Sequence, residues 1–87
     1  MKTKINITPK WFKGTIYEQG EEVINPFSGE CYTLNGLELS IYDFIIGSQL
    51  MIEALPRMVT KKQLNDFHKA LSWFRRANGD AYYVLLD

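Results

Sequence analysis

The chain has 87 residues, of which 46% are hydrophobic and 14% aromatic, and its formal net charge at pH 7 is zero. This length and composition predict one small packed domain over residues 1–87 rather than a disordered segment. A single cysteine excludes an internal disulfide, and together with a single histidine it excludes the common zinc patterns.

The charges are segregated along the chain although they sum to zero. Residues 1–13 contain four lysines and no acid, residues 14–56 contain seven acids and no base, and residues 57–79 contain six bases and one acid. Such blocks either face each other across a fold or form two surfaces of opposite sign. Because the sequence contains neither a membrane-length apolar run nor the apolar core of a signal peptide, we expect a cytoplasmic protein with no membrane partner.

Residues 1–13 are interpreted as an N-terminal arm that is either mobile or held in place by Trp11 and Phe12, since Pro9 disfavours a helix there. Short runs of β-type residues then follow at 15–18, 22–25 and 30–34. These runs predict a small antiparallel β-hairpin or a three-stranded meander over about residues 15–34.

The segment "NPFSG" between the last two runs predicts a turn. Asn25 and Pro26 suit its first two positions, and Gly29 suits a glycine bulge after a type I turn. Cys31 follows with no adjacent cation or helix start that would make its thiol reactive, so we interpret it as a small buried apolar residue.

A helix is predicted over about residues 37–55, ending before Pro56, and its apolar residues occupy more than one face. It can be covered by the sheet and a second helix, or by a partner subunit, and a homodimer and a monomer both remain open. A small-residue stripe and a neighbouring apolar ridge form the candidate interface: Ser40, Gly47, Ala54, Leu39, Ile46 and Leu50.

A second helix, antiparallel to the first, is predicted over about residues 61–78, because Thr60 and Gln63 form a capping-box pattern. Leu64 begins its predicted inward face. Its outward face carries a cationic stripe next to an indole, formed by Lys62, Lys69, Arg76 and Trp73. The stripe is a candidate surface for nucleic acid or an acidic protein, and the alternative is a solvated helix face with Trp73 packed on the hairpin.

The last segment, residues 80–86, is predicted as a short helix after Gly79, with a strand as the alternative. The predicted fold class is therefore α+β: a small N-terminal hairpin packed on two antiparallel helices and a short C-terminal element.

The sequence contains no recognisable catalytic constellation. His68 has no acid or nucleophile at helical spacing other than Asn65 and Ser72, and no glycine-rich phosphate loop is present. We therefore predict a protein that is not an enzyme and has no cofactor and no metal site.

Three motifs together resemble a group of small proteins encoded by tailed bacteriophages and common in marine metagenomic sequence. They are the "NPFSGE" turn, the "YDFIIG" helix segment, and "ALSWF" leading to the C-terminal "AYYVLLD". The resemblance covers residues 25–87, and Ala70 departs from the glycine of the group's pattern. It implies a viral or microbial intracellular setting and transfers no catalytic residue.

The sequence as a whole thus favours a non-enzymatic interaction protein, for instance a small phage accessory factor. It would act through its helix surfaces on itself, as a homodimer, or on another protein. A nucleic-acid-binding module that uses the cationic stripe of the second helix is the alternative.

Overall fold

A computed structural model describes residues 8–12 and 14–86 of the chain. In chain order it contains strands β1 (Glu21–Ile24) and β2 (Cys31–Leu34), helix α1 (Gly36–Ala54), a 3₁₀ turn (Pro56–Met58), helix α2 (Lys61–Ala77) and helix α3 (Gly79–Leu85). The α+β prediction is confirmed. The C-terminal element is a helix, so the strand alternative is wrong.

The two strands form an antiparallel hairpin in which Val23 pairs with Tyr32. Gly29 has a positive φ of 77°, as the predicted glycine bulge requires. Its N–H donates to the Asn25 carbonyl at 2.8 Å, so the turn is one residue wider than the predicted type I turn. The Asn25 side chain accepts from the Phe27 N–H inside the turn and donates to the Val84 carbonyl of α3.

The first predicted β-run, residues 15–18, is not a strand, so the meander alternative is wrong. The Tyr17 N–H donates to the Ser40 hydroxyl of α1 at 2.8 Å instead of to a neighbouring strand. A Cβ atom on Gly36 would collide with the Tyr17 carbonyl oxygen, so the chain crosses α1 here in close backbone contact. The run is therefore a strap over the start of α1.

Both long helices begin with a capping box. Thr60 and Gln63 form the predicted one at α2, and Asn35 and Glu38 form another at α1. The final helix is capped by Asn78, whose side chain accepts from the Ala81 N–H. Local sequence thus sets the start of every helix.

The core lies where α1 and α2 pack together and where α3 and β2 close one end. Early α1 meets late α2 through the Tyr42 and Phe74 rings, with centroids 6.3 Å apart, and the helices are antiparallel. The fully buried side chains include Leu34, Ile41, Ile45 and Phe74. None of the helices in the described part of the chain has the length and apolar character that a membrane span needs.

Candidate functional site

A buried polar joint fixes the helices relative to one another. Glu38 is 0% exposed, and its two carboxyl oxygens accept from the Asn35 N–H at 2.9 Å and from the Asn78 side-chain amide at 3.1 Å. Asn78 ends α2 and caps α3, so this one carboxyl group connects the starts of α1 and α3. The joint is structural, because its polar atoms are used in hydrogen bonds between elements.

The N-terminal segment covers only the first half of one face of α1. The Phe12 and Phe44 rings have centroids 5.9 Å apart, and the Trp11 ring lies 6.0 Å from Phe44. Further along, Tyr17 donates its hydroxyl to Asp43 at 2.7 Å. Of the two alternatives for the arm, Trp11 and Phe12 are packed in place, whereas residues 1–7 and 13 lie outside the described residues.

This covering corrects the candidate interface. Leu39 and Ser40 are buried, 8% and 4% exposed, so they cannot contact a partner. Ile46 is half-buried, whereas Gly47, Leu50 and Ala54 in the second half of the helix are exposed. The available part of the predicted interface is therefore its C-terminal half.

Exposed apolar side chains gather at that end of the helix pair. They come from the end of α1, the 3₁₀ turn and the start of α2, and we call them the apolar tip: Leu50, Met51, Leu55, Met58 and Leu64. Leu64 was predicted to face inward but is 39% exposed. Methionine and leucine side chains grouped on a surface are typical of protein-binding sites.

A cleft of about 400 Å³ lies beside the apolar tip, between α1 and α2. Its lining includes Gly47, Met51, Ile52 and Val59, with Asp43, Gln63 and Asp66 as polar members. A Cβ atom built on Gly47 would meet no atom within 4 Å, so no contact inside the chain requires a glycine at this position.

The cationic stripe differs from its prediction in two respects. Trp73 is 7% exposed and belongs to the core, so its ring face is not available for stacking on a ligand. Lys62 is paired with Asp66 at 2.8 Å, which places an acid beside the first cation of the stripe. Lys69 and Arg76 remain exposed.

The residues considered for catalysis lie apart. Cys31 was expected to be buried but is exposed in the hairpin, where its thiol donates weakly to the Gly29 carbonyl. His68 is exposed on α2 beside Phe67. Over residues 8–12 and 14–86, no group of three histidine, cysteine or acidic side chains could hold a metal ion.

Sequence reasoning missed the exposure of Phe27. This side chain stands at the hairpin turn and is 98% exposed, because the turn backbone is closed by Asn25 rather than by apolar packing. The sequence signal was available, since an aromatic residue after Asn-Pro in a tight turn has little neighbouring chain to pack against.

The Tyr17–Asp43 contact gives a pH prediction. The hydrogen bond to Asp43, followed by the charge of Asp43, raises the pKa of Tyr17 above its usual 10.0. Below pH 10.0 the hydrogen bond from Tyr17 therefore contributes its full stabilisation to the strap. This stabilisation is lost as the pH rises through the higher pKa that Tyr17 has in the folded state. We expect the difference in urea midpoint between the wild type and Tyr17→Phe to shrink above pH 10.0.

The pKa of Tyr42 is also raised, by burial and then by Asp43, and its titration is common to both proteins in that comparison. The difference between them therefore isolates Tyr17. A difference that stays constant across the alkaline range would contradict the Tyr17–Asp43 hydrogen bond.

Comparison with known protein families, with curated proteins and with solved structures finds no match to this chain.

Proposed function

We propose that this chain is a non-enzymatic protein-interaction domain that pairs with a second copy of itself through the apolar tip. The observation that carries the proposal is the exposure of three large side chains at the end of the helix pair: Leu50 is 62% exposed, Leu55 56% and Met58 70%. Burying such side chains against a partner gains about 25 cal/mol for each Å² of apolar surface.

Charge favours a second copy as the occupant. The same end of the helix pair carries exposed Glu53 on α1, exposed Arg57 in the 3₁₀ turn and exposed Lys61 at the start of α2. In a two-fold dimer every contact is repeated, so Glu53 of each copy can lie opposite Arg57 or Lys61 of the other. Because the net charge is zero, two copies approach without overall repulsion.

Gly47 supports close approach of the partner. A glycine inside a helix costs about 1 kcal/mol relative to alanine. Nothing inside the chain occupies the space next to Gly47, so packing within one copy does not explain this cost. A helix of a second copy that enters the cleft would require the missing side chain.

Light scattering over a range of protein concentrations tests the dimer. The wild type is expected to form a dimer, and Gly47→Leu to shift the chain to a monomer because leucine fills the cleft. Gly79→Leu is the matched control, since Gly79 also faces open space but lies at α3, away from the tip.

The thermal midpoint separates loss of pairing from loss of folding. At a concentration low enough for the wild type to be monomeric, Gly47→Leu is expected to be at least as stable as the wild type, because its side chain meets open space in the single chain. A wild type that stays monomeric at every concentration overturns the dimer, and so does a Gly47→Leu variant that still pairs as the wild type does.

The phage-like setting and the cytoplasmic location are part of the same proposal. The setting rests on the three-motif resemblance, and a reducing compartment suits the exposed thiol of Cys31. A phage or host protein on the apolar tip is the competing occupant, and a monomeric wild type would favour it.

A further inference from the structure

A second groove lies away from the apolar tip, between the N-terminal segment and the outward face of α2. It has a volume of about 460 Å³ and is lined by Trp11, His68, Lys69, Ser72, Trp73 and Arg76. We call it the indole groove. No residue of the apolar tip lines it, so a ligand in this groove would bind independently of the proposed dimer.

Trp11 is the ring that a ligand can reach in the indole groove. Trp73 is almost fully buried, whereas Trp11 is only partly buried. The Trp11 ring also contacts the Phe12 and Phe44 rings, at centroid distances of 6.0 Å and 6.0 Å. These contacts hold it in one orientation, so little side-chain entropy is lost when a flat ligand stacks on it.

The charge of the groove is positive only. Lys69 and Arg76 are exposed, and no acidic residue lines the groove. Within residues 8–12 and 14–86, neither cation has a carboxylate partner, in contrast to Lys62. The acids Glu18, Glu21, Glu22 and Asp43 line a different cleft. The two cations of the groove and these four acids thus line separate clefts.

The spacing of the two cations suits a phosphate chain. Lys69 and Arg76 are two helical turns apart, and a rise of 1.5 Å per residue places them about 10 Å apart along the axis. Successive phosphates in one strand of duplex DNA are about 3.4 Å apart along the axis, and at that spacing the pair spans about three nucleotides. Ser72 lies between them on the same helix and offers a hydroxyl.

We infer that the indole groove binds single-stranded nucleic acid. A base stacks on Trp11, Lys69 and Arg76 contact phosphates, and His68 and Ser72 donate hydrogen bonds. An acidic protein segment would use the two cations but would leave the indole without a ring to stack on. Nucleic acid carries a ring and a charge on every unit, which matches both features of the groove.

Fluorescence anisotropy of a labelled oligothymidylate tests this inference. Two phosphate contacts predict that a fourfold rise in salt lowers the affinity by about sevenfold. Arg76→Glu is expected to weaken binding by about tenfold or more, whereas Arg75→Glu changes the net charge equally on the same helix and should change binding by about twofold at most. Arg75 is exposed and does not line the groove.

The indole has its own test. Trp11→Leu is expected to weaken binding by about fivefold to 150-fold, the usual range for one stacked base, while Trp11→Phe retains most of it. Urea unfolding of both variants shows whether the Trp11–Phe44 contact tolerates the change. If Trp11→Leu is destabilised, Lys69→Gln tests the groove instead through its phosphate contact, because Lys69 is a solvated side chain whose change does not disturb the core.

Three results would overturn the inference. The first is no binding of the oligonucleotide at low salt. The second is equal loss of affinity in Arg75→Glu and Arg76→Glu, which shows general attraction rather than a site. The third is displacement of the oligonucleotide by polyglutamate at equal charge concentration, which assigns the groove to an acidic protein.

Discussion

Glu38→Ala is expected to lower the free energy of unfolding by about 3 kcal/mol. The substitution leaves the part-buried Asn35 N–H and the buried Asn78 amide without their acceptors, and an unsatisfied buried donor costs about 1–3 kcal/mol. A domain of this size has a total stability of roughly 4–13 kcal/mol, so the variant loses a large share of it. Urea denaturation measures the change.

A side-chain exchange separates the hydrogen bond from the loss of volume. Glu38→Gln places a second amide donor opposite the Asn78 amide. Asn78→Asp places a second carboxyl acceptor opposite the carboxyl group of Glu38. Each single variant is expected to lose about 1.5–3 kcal/mol. The double variant restores one donor and one acceptor and should recover part of the loss.

The double variant also gives the result that would contradict the Glu38–Asn78 hydrogen bond. If the double variant is destabilised by the sum of the two single changes, the side chains of Glu38 and Asn78 act independently. The contact between α1 and the corner of α2 and α3 would then not depend on this hydrogen bond.

Phe74→Ala is expected to destabilise the domain by about 3–5 kcal/mol, because it empties a fully buried site next to Tyr42 in the α1–α2 interface. Phe27→Ala is the matched control, since it deletes the same atoms from a side chain that is 98% exposed. Its effect should be within about 0.5 kcal/mol. Thermal or urea unfolding of the two variants gives the comparison.

A comparable loss in both variants would contradict the structure, because it would place Phe27 in a packed environment. A loss of less than about 1 kcal/mol in Phe74→Ala would show that the two long helices do not pack through this ring.

The sequence by itself determined the elements whose signals are local. The second helix follows from the Thr60 and Gln63 pair and from one apolar stripe, and the hairpin follows from Asn25, Pro26 and Gly29. These signals are readable because they involve hydrogen bonds and backbone conformations within a few residues. The capping box of Asn35 and Glu38 was equally readable and was missed.

The candidate surfaces depended on contacts between distant parts of the chain. Leu39 and Leu50 belong to the same predicted ridge, yet one is buried and the other exposed. Periodicity defines the face of a helix but not how far along its length another segment covers that face. Here the strap crosses only the first half, through Tyr17 and Ser40, 23 positions apart.

The same reason explains why the sequence predicted Trp73 as the accessible ring beside the cations, whereas the structure has Trp11 there. A helical wheel places Trp73 beside the cationic stripe, but it does not reveal that this ring is buried or that the N-terminal segment brings Trp11 to the groove. The sequence therefore determined the fold class, most of the element bounds and the order of the charged blocks along the chain. Only the tertiary structure decided which side chains face solvent together, because burial depends on packing between segments that are far apart in the chain.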